Sequence, residues 1–366
     1  MFEQRLYKHL DWSLLVAILL LCLVGLVMIY STTYDPIRAR VGREFYTQLS
    51  AVGIGLLAMT VVLFIDYRTL SEYAPVLYGA VAVLLIYVLF FGVVAGGSRR
   101  WISLGVFNLQ PSEFAKAALA LLLATWFGQE KLSALRGGDL AVACGVLLVP
   151  FLLIARQPDL GSAVTLLPVL GGIAYAAGLR VRLIGYAVLA LALLTPVAWA
   201  YGLQDYQKSR VITFLDPAQD ARGAGYQQIQ ARITVGSGGL MGKGFLNGTQ
   251  GQYKFLPVAH NDFVYSVLAE EHGFLGVLAT LGLYLFVLLR SLEAARLARD
   301  RIGAYLVVGL ISCFAFQVIY NIAMSAGLAP VKGLTLPLMS YGGSSMIATL
   351  MSFGFILNVR MRRFAN

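Results

Sequence analysis

The sequence has few charged residues. Asp, Glu, Lys and Arg make up 13% of its 366 residues, against 59% apolar residues, and the mean hydropathy is +0.76. A soluble domain carries about 25% charged residues, because its surface has to be wetted. This chain cannot cover an apolar core with a polar surface, so its composition predicts an integral membrane protein.

Cysteine is scarce as well, and metal-binding spacings are absent. The three cysteines lie inside apolar runs without a CxxC pair, so no disulfide framework is expected: Cys22, Cys144 and Cys313. No H-E-x-x-H string occurs. These absences exclude a disulfide-stabilised fold and a zinc-hydrolase motif.

A nucleotide site is excluded too, although residues 236–244 (GSGGLMGKG) invite one. Ser237 stands where a P-loop needs glycine, and Gly244 stands where it needs Ser or Thr. Met241 occupies the third glycine position of a dinucleotide motif. The expected use of these glycines is a set of tight turns that let the backbone approach a ligand.

Long apolar runs fill most of the chain. About ten approach the roughly 20 residues that a helix needs to cross hydrocarbon: 12–30, 46–65, 73–95, 111–127, 139–156, 160–178, 183–202, 262–290, 303–325 and 341–359. The runs do not alternate, which favours helices over barrel strands. The first is too long for a signal-peptide core and has no cleavage site after it. We therefore expect an all-α, polytopic membrane protein with a single domain, residues 1–366.

The basic residues predict the orientation. More of them lie on the side of the termini, among them Arg290, Arg296, Arg299, Arg360 and Arg362. Because this asymmetry orients membrane proteins, both termini are expected in the cytoplasm. The longest connection, residues 203–261 between spans seven and eight, then lies outside. Its large apolar side chains predict that it lies on the membrane face, with 226–235 as a short interfacial helix.

Charges at membrane depth cost about 2.5–3.5 kcal/mol, so each one is a functional hypothesis. The fourth span opens with residues 110–116 (QPSEFAK), in which Glu113 and Lys116 share one helix face. The helix N-terminus, Lys116 and the nearby Arg99 and Arg100 would form a cationic pocket for a phosphate-bearing ligand. The alternative is an ion pair that only locks helix packing.

Two further polar segments open helices. In residues 157–162 (QPDLGS), Asp159 either caps the sixth span or belongs to the pocket. Asp262 stands where the outer loop becomes the eighth span, at a depth where a base could meet a lipid headgroup. His260 is the alternative proton acceptor, and a capping role is the alternative for Asp262. Helical geometry places Glu270 two turns deeper, within about a quadrant of Asp262.

A last polar cluster comprises Asn321 and residues 327–333 and 336–345, which hold two prolines and several glycines. Non-helical backbone near membrane depth is tolerated only where it lines protein or a wet cavity. The cluster therefore predicts a cavity wall, with close helix packing as the alternative.

Taken together, these strings resemble the SEDS family of shape, elongation, division and sporulation proteins. RRW (99–101), QPSEFAK, QPDLGS, GAGYQ (223–227), GSGGLMGKG, HNDF (260–263), PVKG (330–333) and LPLMSYGGSS (336–345) occur in the family's order. The short N-terminal tail is more similar to the rod-shape (RodA) branch than to the division (FtsW) branch.

The resemblance implies a peptidoglycan glycosyltransferase that polymerises lipid II during cell elongation. Its active site would face outward from the bacterial cytoplasmic (inner) membrane, and a class B penicillin-binding protein would be its partner. Asp262 falls on the aspartate regarded as catalytic, here a general base. The positions implied for substrate binding are Arg100, Trp101, Glu113, Lys116 and Asp159. The only cofactor implied is a divalent cation, Mg²⁺ or Mn²⁺.

The sequence departs from the family's pattern at four positions. Val258 replaces a common glutamate, Asn261 a threonine and Ala231 a serine, and Lys332 stands where threonine or an apolar residue is usual. These departures argue against a role for those side chains. Two other functions compete with the enzyme: a flippase for a lipid-linked precursor, which intramembrane charges and broken helices suit, and a non-catalytic scaffold.

Overall fold

The computed structural model describes residues 9–35, 39–95, 98–103, 105, 108–129, 137–180, 182–183, 185–186, 189, 192–193, 196, 198–202, 205–220, 223–253, 255–257 and 259–364. Over this part the chain is mainly helical. The first helices are α1 (Trp12–Thr33), α2 (Arg43–Phe64), α3 (Tyr67–Glu72), α4 (Ala74–Phe91), α5 (Pro111–Gln129), α6 (Gly137–Arg156), α7 (Leu160–Val164) and α8 (Leu166–Ala176). The later ones are α9 (Asp205–Leu215), α10 (Ala224–Ser237), α11 (Thr249–Gln252), α12 (Val264–Arg296), α13 (Arg301–Ser325) and α14 (Gly343–Met361).

Among the described residues, seven helices are long and apolar enough to span a membrane: α1, α2, α4, α6, α12, α13 and α14. Helices α7 and α8 form a shorter apolar pair, and α5 has 19 residues but carries Glu113 and Lys116. The predicted all-α, polytopic fold is confirmed. The span predicted over 183–202 falls on residues that are only partly described, so the count of ten stays a prediction.

Short strands join some of the helices. Strands β1 (Tyr34–Asp35) and β2 (Arg40–Val41) pair antiparallel after α1. Strands β3 (Val93–Ala95), β4 (Ser98–Ser103) and β5 (Asn108–Leu109) form an antiparallel sheet between α4 and α5. This sheet gives the RRW string a fixed backbone, because β4 is paired on both sides.

Small residues let the central helices pack closely. Helix α2 lies along α14, where a side chain at Gly354 would crowd the backbone of Met59. Gly25 of α1 lies against the backbone of Met339 in the same way. Such contacts supply van der Waals packing, which is a main source of helix association in a bilayer.

Helix α12 is broken near its start. Gly273 has φ 64° and ψ −165°, so residues 264–272, here called the entry helix, form a segment separate from the long span that follows. Residues 238–244, here called the glycine clasp, lie against this break. The prediction that these glycines let the backbone approach a ligand is therefore corrected: the closely approached group is the protein's own helix.

Candidate active site

A polar cavity of about 1190 Å³ opens where several helices begin. Residues at or just before the N-terminal ends of α2, α5, α7, α12 and α14 line it, together with β4 and α9. Helix N-termini carry partial positive charge, and the unpaired N–H groups of their first turns can bind anions. Residues 330–335 and 341–345 form another side of the cavity, which confirms the predicted cavity wall.

Asp262 also lines the cavity, at the turn that precedes the entry helix. The side-chain amide of Asn321 donates to the carbonyl oxygen of Asp262 (3.0 Å) and to that of Leu334 (2.7 Å), so a buried amide ties the turn to the opposite loop. Phe263, not Asp262, is the N-cap of α12, so the capping alternative is wrong. The carboxylate of Asp262 accepts no hydrogen bond from any residue that the structure describes.

The environment of Asp262 changes its acidity. Burial raises the pKa of this carboxyl to about 6, although Arg100 and Arg210 act in the opposite direction. Gly333, at φ +66°, lies beside it, and a side chain there would come within 3.5 Å of Asp262 Oδ2. The carboxyl therefore sits in a confined space and titrates close to neutrality, as a general base should.

Asp159 fills both roles that the sequence left open. Its Oδ1 accepts from the backbone N–H of Ser162 (3.1 Å) and so caps α7. Its Oδ2 pairs with Arg100 Nη1 (3.0 Å) and accepts from Gln110 Nε2 (3.1 Å). The guanidinium of Arg100 also lies 5.8 Å from the ring centroid of Trp101. Asp159 and Trp101 thus hold Arg100 at the cavity surface.

Glu113 and Lys116 form the predicted pair, at 2.6 Å between Oε2 and Nζ. Glu113 lines the cavity, whereas Lys116 lies behind it, where a void of about 30 Å³ also borders Cys313 and Gln317. Both charges are buried. Lys116 thus borders the cavity only through Glu113, and its part in substrate binding stays a prediction.

Sequence reasoning missed Arg210 and Lys332, two of the cations that line the cavity. Arg210 of α9 lines the cavity and donates to the carbonyl oxygen of Val331 (3.2 Å). Lys332 lines it too, with Nζ 6.0 Å from the ring centroid of Tyr320. Burial and Arg210 both lower the pKa of Lys332. No carboxylate of the described chain pairs with either cation.

Arg210 and Lys332 differ in whether the sequence gave a signal for them. Lys332 stood out as a departure from the family's pattern, and its position in the cavity allows it to contact a ligand. Arg210 belongs to no motif used above. The position of Val258, another departure, lies outside the described residues.

His260 and Glu270 do not share the cavity with Asp262. The ring of His260 packs edge-on against Tyr341 (5.4 Å between centroids), and burial lowers the pKa of His260. Glu270 instead pairs with Lys243 at 2.6 Å. The expectation that Glu270 points within about a quadrant of Asp262 assumed that both belong to one helix. Asp262 precedes that helix, so helical spacing does not relate the two residues.

Comparison with known proteins gives the family. The FtsW/RodA/SpoVE model, described as "Cell cycle protein", matches residues 11–364. The chain therefore belongs to this family, and the resemblance inferred from its motifs is confirmed. It is 38% identical to the peptidoglycan glycosyltransferase MrdB of Escherichia coli K12 over 97% of this chain and 94% of that protein. It is 36% identical to stage V sporulation protein E of Bacillus subtilis over 95% of this chain and 96% of that protein.

Solved structures of related proteins have the same fold. A chain in a structure of a peptidoglycan synthase complex superposes with a TM-score of 0.85 at 35% identity, over 98% of this chain and 99% of that one. The rod shape determining protein RodA of Thermus thermophilus superposes with a TM-score of 0.73 at 32% identity, over 98% of each chain. The fold and the membrane architecture described above are therefore those of this family.

Proposed function

We propose that this protein is a peptidoglycan glycosyltransferase that polymerises lipid II into glycan strands during cell elongation, with Asp262 as its general base. One observation carries the proposal: a confined carboxyl with a pKa of about 6 shares a cavity with two cations that have no carboxylate partner in the described chain, Arg210 and Lys332. That combination suits a hydroxyl nucleophile and a diphosphate leaving group.

The reaction follows from these positions. The attacking sugar hydroxyl forms a bond to the anomeric carbon of the second sugar, whose bond to the lipid diphosphate breaks. Asp262 takes the proton from the attacking hydroxyl, and the departing diphosphate carries away the electron pair. Arg210, Lys332 and Arg100 stabilise its negative charge, as preorganised cations do in a site shielded from water. Because diphosphate leaves readily, no second carboxyl is needed as an acid, unlike in glycoside hydrolases.

Asp159 and Glu113, two of the three other carboxylates that line the cavity, are committed elsewhere. Asp159 pairs with Arg100 and Glu113 pairs with Lys116. Glu113 cannot accept a proton without leaving the buried Lys116 uncompensated, which is costly. Protonation of Asp159 would cost it the pairing with the partly exposed Arg100. Of these three carboxyls, Asp262 is therefore the best placed to change its protonation state during turnover.

The implied divalent cation would be held mainly by the substrate. No group of three His, Cys, Asp or Glu side chains converges among the described residues. Mg²⁺ is usually held by one or two carboxylates together with substrate phosphates. The phosphate oxygens of the substrate would supply most of the ligands, and the ion would add positive charge beside the leaving group. We expect a chelator to lower polymerisation and added Mg²⁺ or Mn²⁺ to restore it.

The partner and the orientation belong to the same proposal. The similar chain in a peptidoglycan synthase complex supports assembly with a class B penicillin-binding protein. Helices α12 and α14 begin at the cavity and end at basic residues, among them Arg296 and Arg360. Basic ends favour the cytoplasmic side. We therefore propose that the termini lie inside and that the cavity opens on the outer face of the cytoplasmic membrane.

Removing the charge of Arg210 or of Lys332 should weaken diphosphate binding. We expect Arg210→Gln and Lys332→Gln each to lower kcat/KM for lipid II by about 10- to 150-fold, because a charge-assisted hydrogen bond contributes about 1.5–3 kcal/mol. The measurement is the rate of glycan formation at several lipid II concentrations. Lys208→Gln is the matched control, since Lys208 lies on the same helix as Arg210 but does not line the cavity. Equal losses in all three variants would contradict the subsite.

The proposed function is tested with purified protein, its partner and labelled lipid II. We expect glycan chains to form. The same preparation in vesicles is assayed for passage of labelled lipid across the bilayer, which addresses the flippase. If the labelled lipid crosses the bilayer and no glycan chains form, the protein is a transporter and not a polymerase. The clustering of the polar residues at one end of the helices, instead of at the midplane, favours the enzyme.

A further inference from the structure

The glycine clasp is joined to the break in α12 by backbone hydrogen bonds. The N–H groups of Lys243 and Gly244 donate to the carbonyl oxygens of Glu270 (2.9 Å) and Glu271 (3.0 Å). From the other side of the break, the N–H of Phe274 donates to the carbonyl oxygen of Gly239 (2.9 Å). A helix break exposes backbone groups that are costly to leave unpaired in a bilayer. The clasp pairs with them.

The contact is close enough to require glycine. A methyl group at Gly238 would overlap the carbonyl oxygen of Ala269, and one at Gly242 would overlap that of Glu271. Gly238 has ordinary helical dihedrals, so the requirement there comes from the contact and not from its backbone conformation. The clasp therefore packs directly against the backbone of the entry helix.

Glu270 anchors the same contact through its side chain. It is fully buried and accepts from Lys243 Nζ (2.6 Å), Thr249 Oγ1 (3.0 Å) and the backbone N–H of Gln250 (3.2 Å). All of these donors belong to the outer segment that includes the clasp. Burying a carboxylate is costly unless it is paired and hydrogen-bonded, so the position of the entry helix is tied to that segment.

We propose that Glu270 is a positioning residue for the glycosyl transfer: with Lys243 and the clasp, it holds the entry helix so that Asp262 keeps its place in the cavity that Arg100 and Arg210 also line. Asp262 precedes the entry helix, whose first residue, Val264, lies six residues before Glu270, roughly 9 Å along the helix axis. Glu270 touches no substrate in this scheme and acts through the helix. The inference rests on the proposed function of Asp262 as the base.

A pair of glycine variants tests the contact. Gly238→Ala introduces the overlap, whereas Gly236→Ala, two residues earlier, points into open space. A displacement of about 1 Å at a reacting group can cost about 10²-fold in rate. We expect Gly238→Ala to lower kcat by about that factor with little change in KM, and Gly236→Ala to behave as wild type.

The pH profile separates positioning from general destabilisation. Arg100 and Arg210 lower the pKa of Asp262. Moving Asp262 away from them removes that effect, so we expect the midpoint of the acid limb to shift to higher pH in Gly238→Ala. A variant that only unfolds more easily would contain less active protein, but the midpoint of its acid limb would not move. If folded Gly238→Ala has a lower kcat and an unchanged midpoint, the proposal is overturned.

The ion pair between Glu270 and Lys243 gives a second test, which does not depend on the steric overlap introduced by Gly238→Ala. Glu270→Gln keeps an acceptor oxygen, and Lys243→Met removes the cation. We expect both to lower kcat and to raise the acid-limb midpoint, with Glu270→Gln the milder. Lys208→Met serves as the control for loss of an outer lysine. If the folded Glu270→Gln and Lys243→Met variants keep the wild-type kcat and midpoint, Glu270 is only a structural residue.

Failure of this inference is distinguishable from failure of the proposed function. If wild type does not polymerise lipid II, or if Asp262→Asn is as active as wild type, the proposed function fails. If wild type polymerises, Asp262→Asn does not, and the clasp variants match wild type, the function stands and the positioning role is rejected.

Discussion

Replacing Asp262 with asparagine is expected to lower lipid II polymerisation by about 10²–10⁴-fold, the usual contribution of a general base. Asparagine keeps the shape of the side chain but cannot accept the proton of the attacking hydroxyl. The variant should fold, because the carboxylate accepts no hydrogen bond from the described residues and Asn321 binds the backbone carbonyl, which remains. The measurement is the initial rate of glycan formation with the partner present.

The same carboxyl predicts how wild type responds to pH. A base works when deprotonated, so with a pKa of about 6 the rate should fall as pH drops through 6 and level off above 7. Burial raises the pKa of folded Asp262 above its ordinary value of 3.8, so the stability linked to this group is present below that value and is lost as pH rises through 6. Asp262→Asn removes that loss, and its Tm at pH 7.5 should equal or exceed that of wild type.

Asp216→Asn is the control, since Asp216 is an exposed carboxylate between α9 and α10 that, among the described residues, accepts hydrogen bonds from its neighbours Ala218 and Gln219. It should leave the rate unchanged. Wild-type rates from Asp262→Asn would rule out Asp262 as the base and would return attention to His260, although that residue does not line the cavity.

The bounds of the helices were accessible from sequence because they depend on local properties. The apolar runs predicted over 12–30 and 303–325 correspond to Trp12–Thr33 and Arg301–Ser325. Asp262 was identified from its place at the entrance of a span. The break at Gly273 was not predicted, because a single glycine within an apolar run is also compatible with a straight helix.

The unpredicted parts of the site depend on contacts between distant segments. Arg210 reaches the cavity because α9 packs near the loop at Val331, 121 residues further along the chain. Lys332 is brought in by a loop held at Asn321. No local period encodes such pairings. Asp159 is intermediate, since its cap is local but its bond to Arg100 is not.

Removing the charge of Lys116 is expected to destabilise the protein strongly. Lys116→Met leaves the buried carboxylate of Glu113 without its cation, and breaking a buried pair on one side costs about 3–5 kcal/mol. Replacing both charges in Glu113→Gln/Lys116→Met removes that penalty, because no buried charge is left uncompensated. We expect unfolding in detergent to show a large drop in Tm for the single variant and a near-complete recovery for the double variant.

Activity of the double variant then decides what the pair does. Glu113 lines the cavity, so we expect polymerisation to stay low although stability returns. Glu293→Gln is the control: Glu293 is 41% exposed, Arg290 keeps its bond to Asp11, and exposed pairs contribute about 0–1 kcal/mol. If the double variant regains both stability and wild-type polymerisation, the pair only locks α5 in place. Its charges would then have no part in the electrostatics of the cavity.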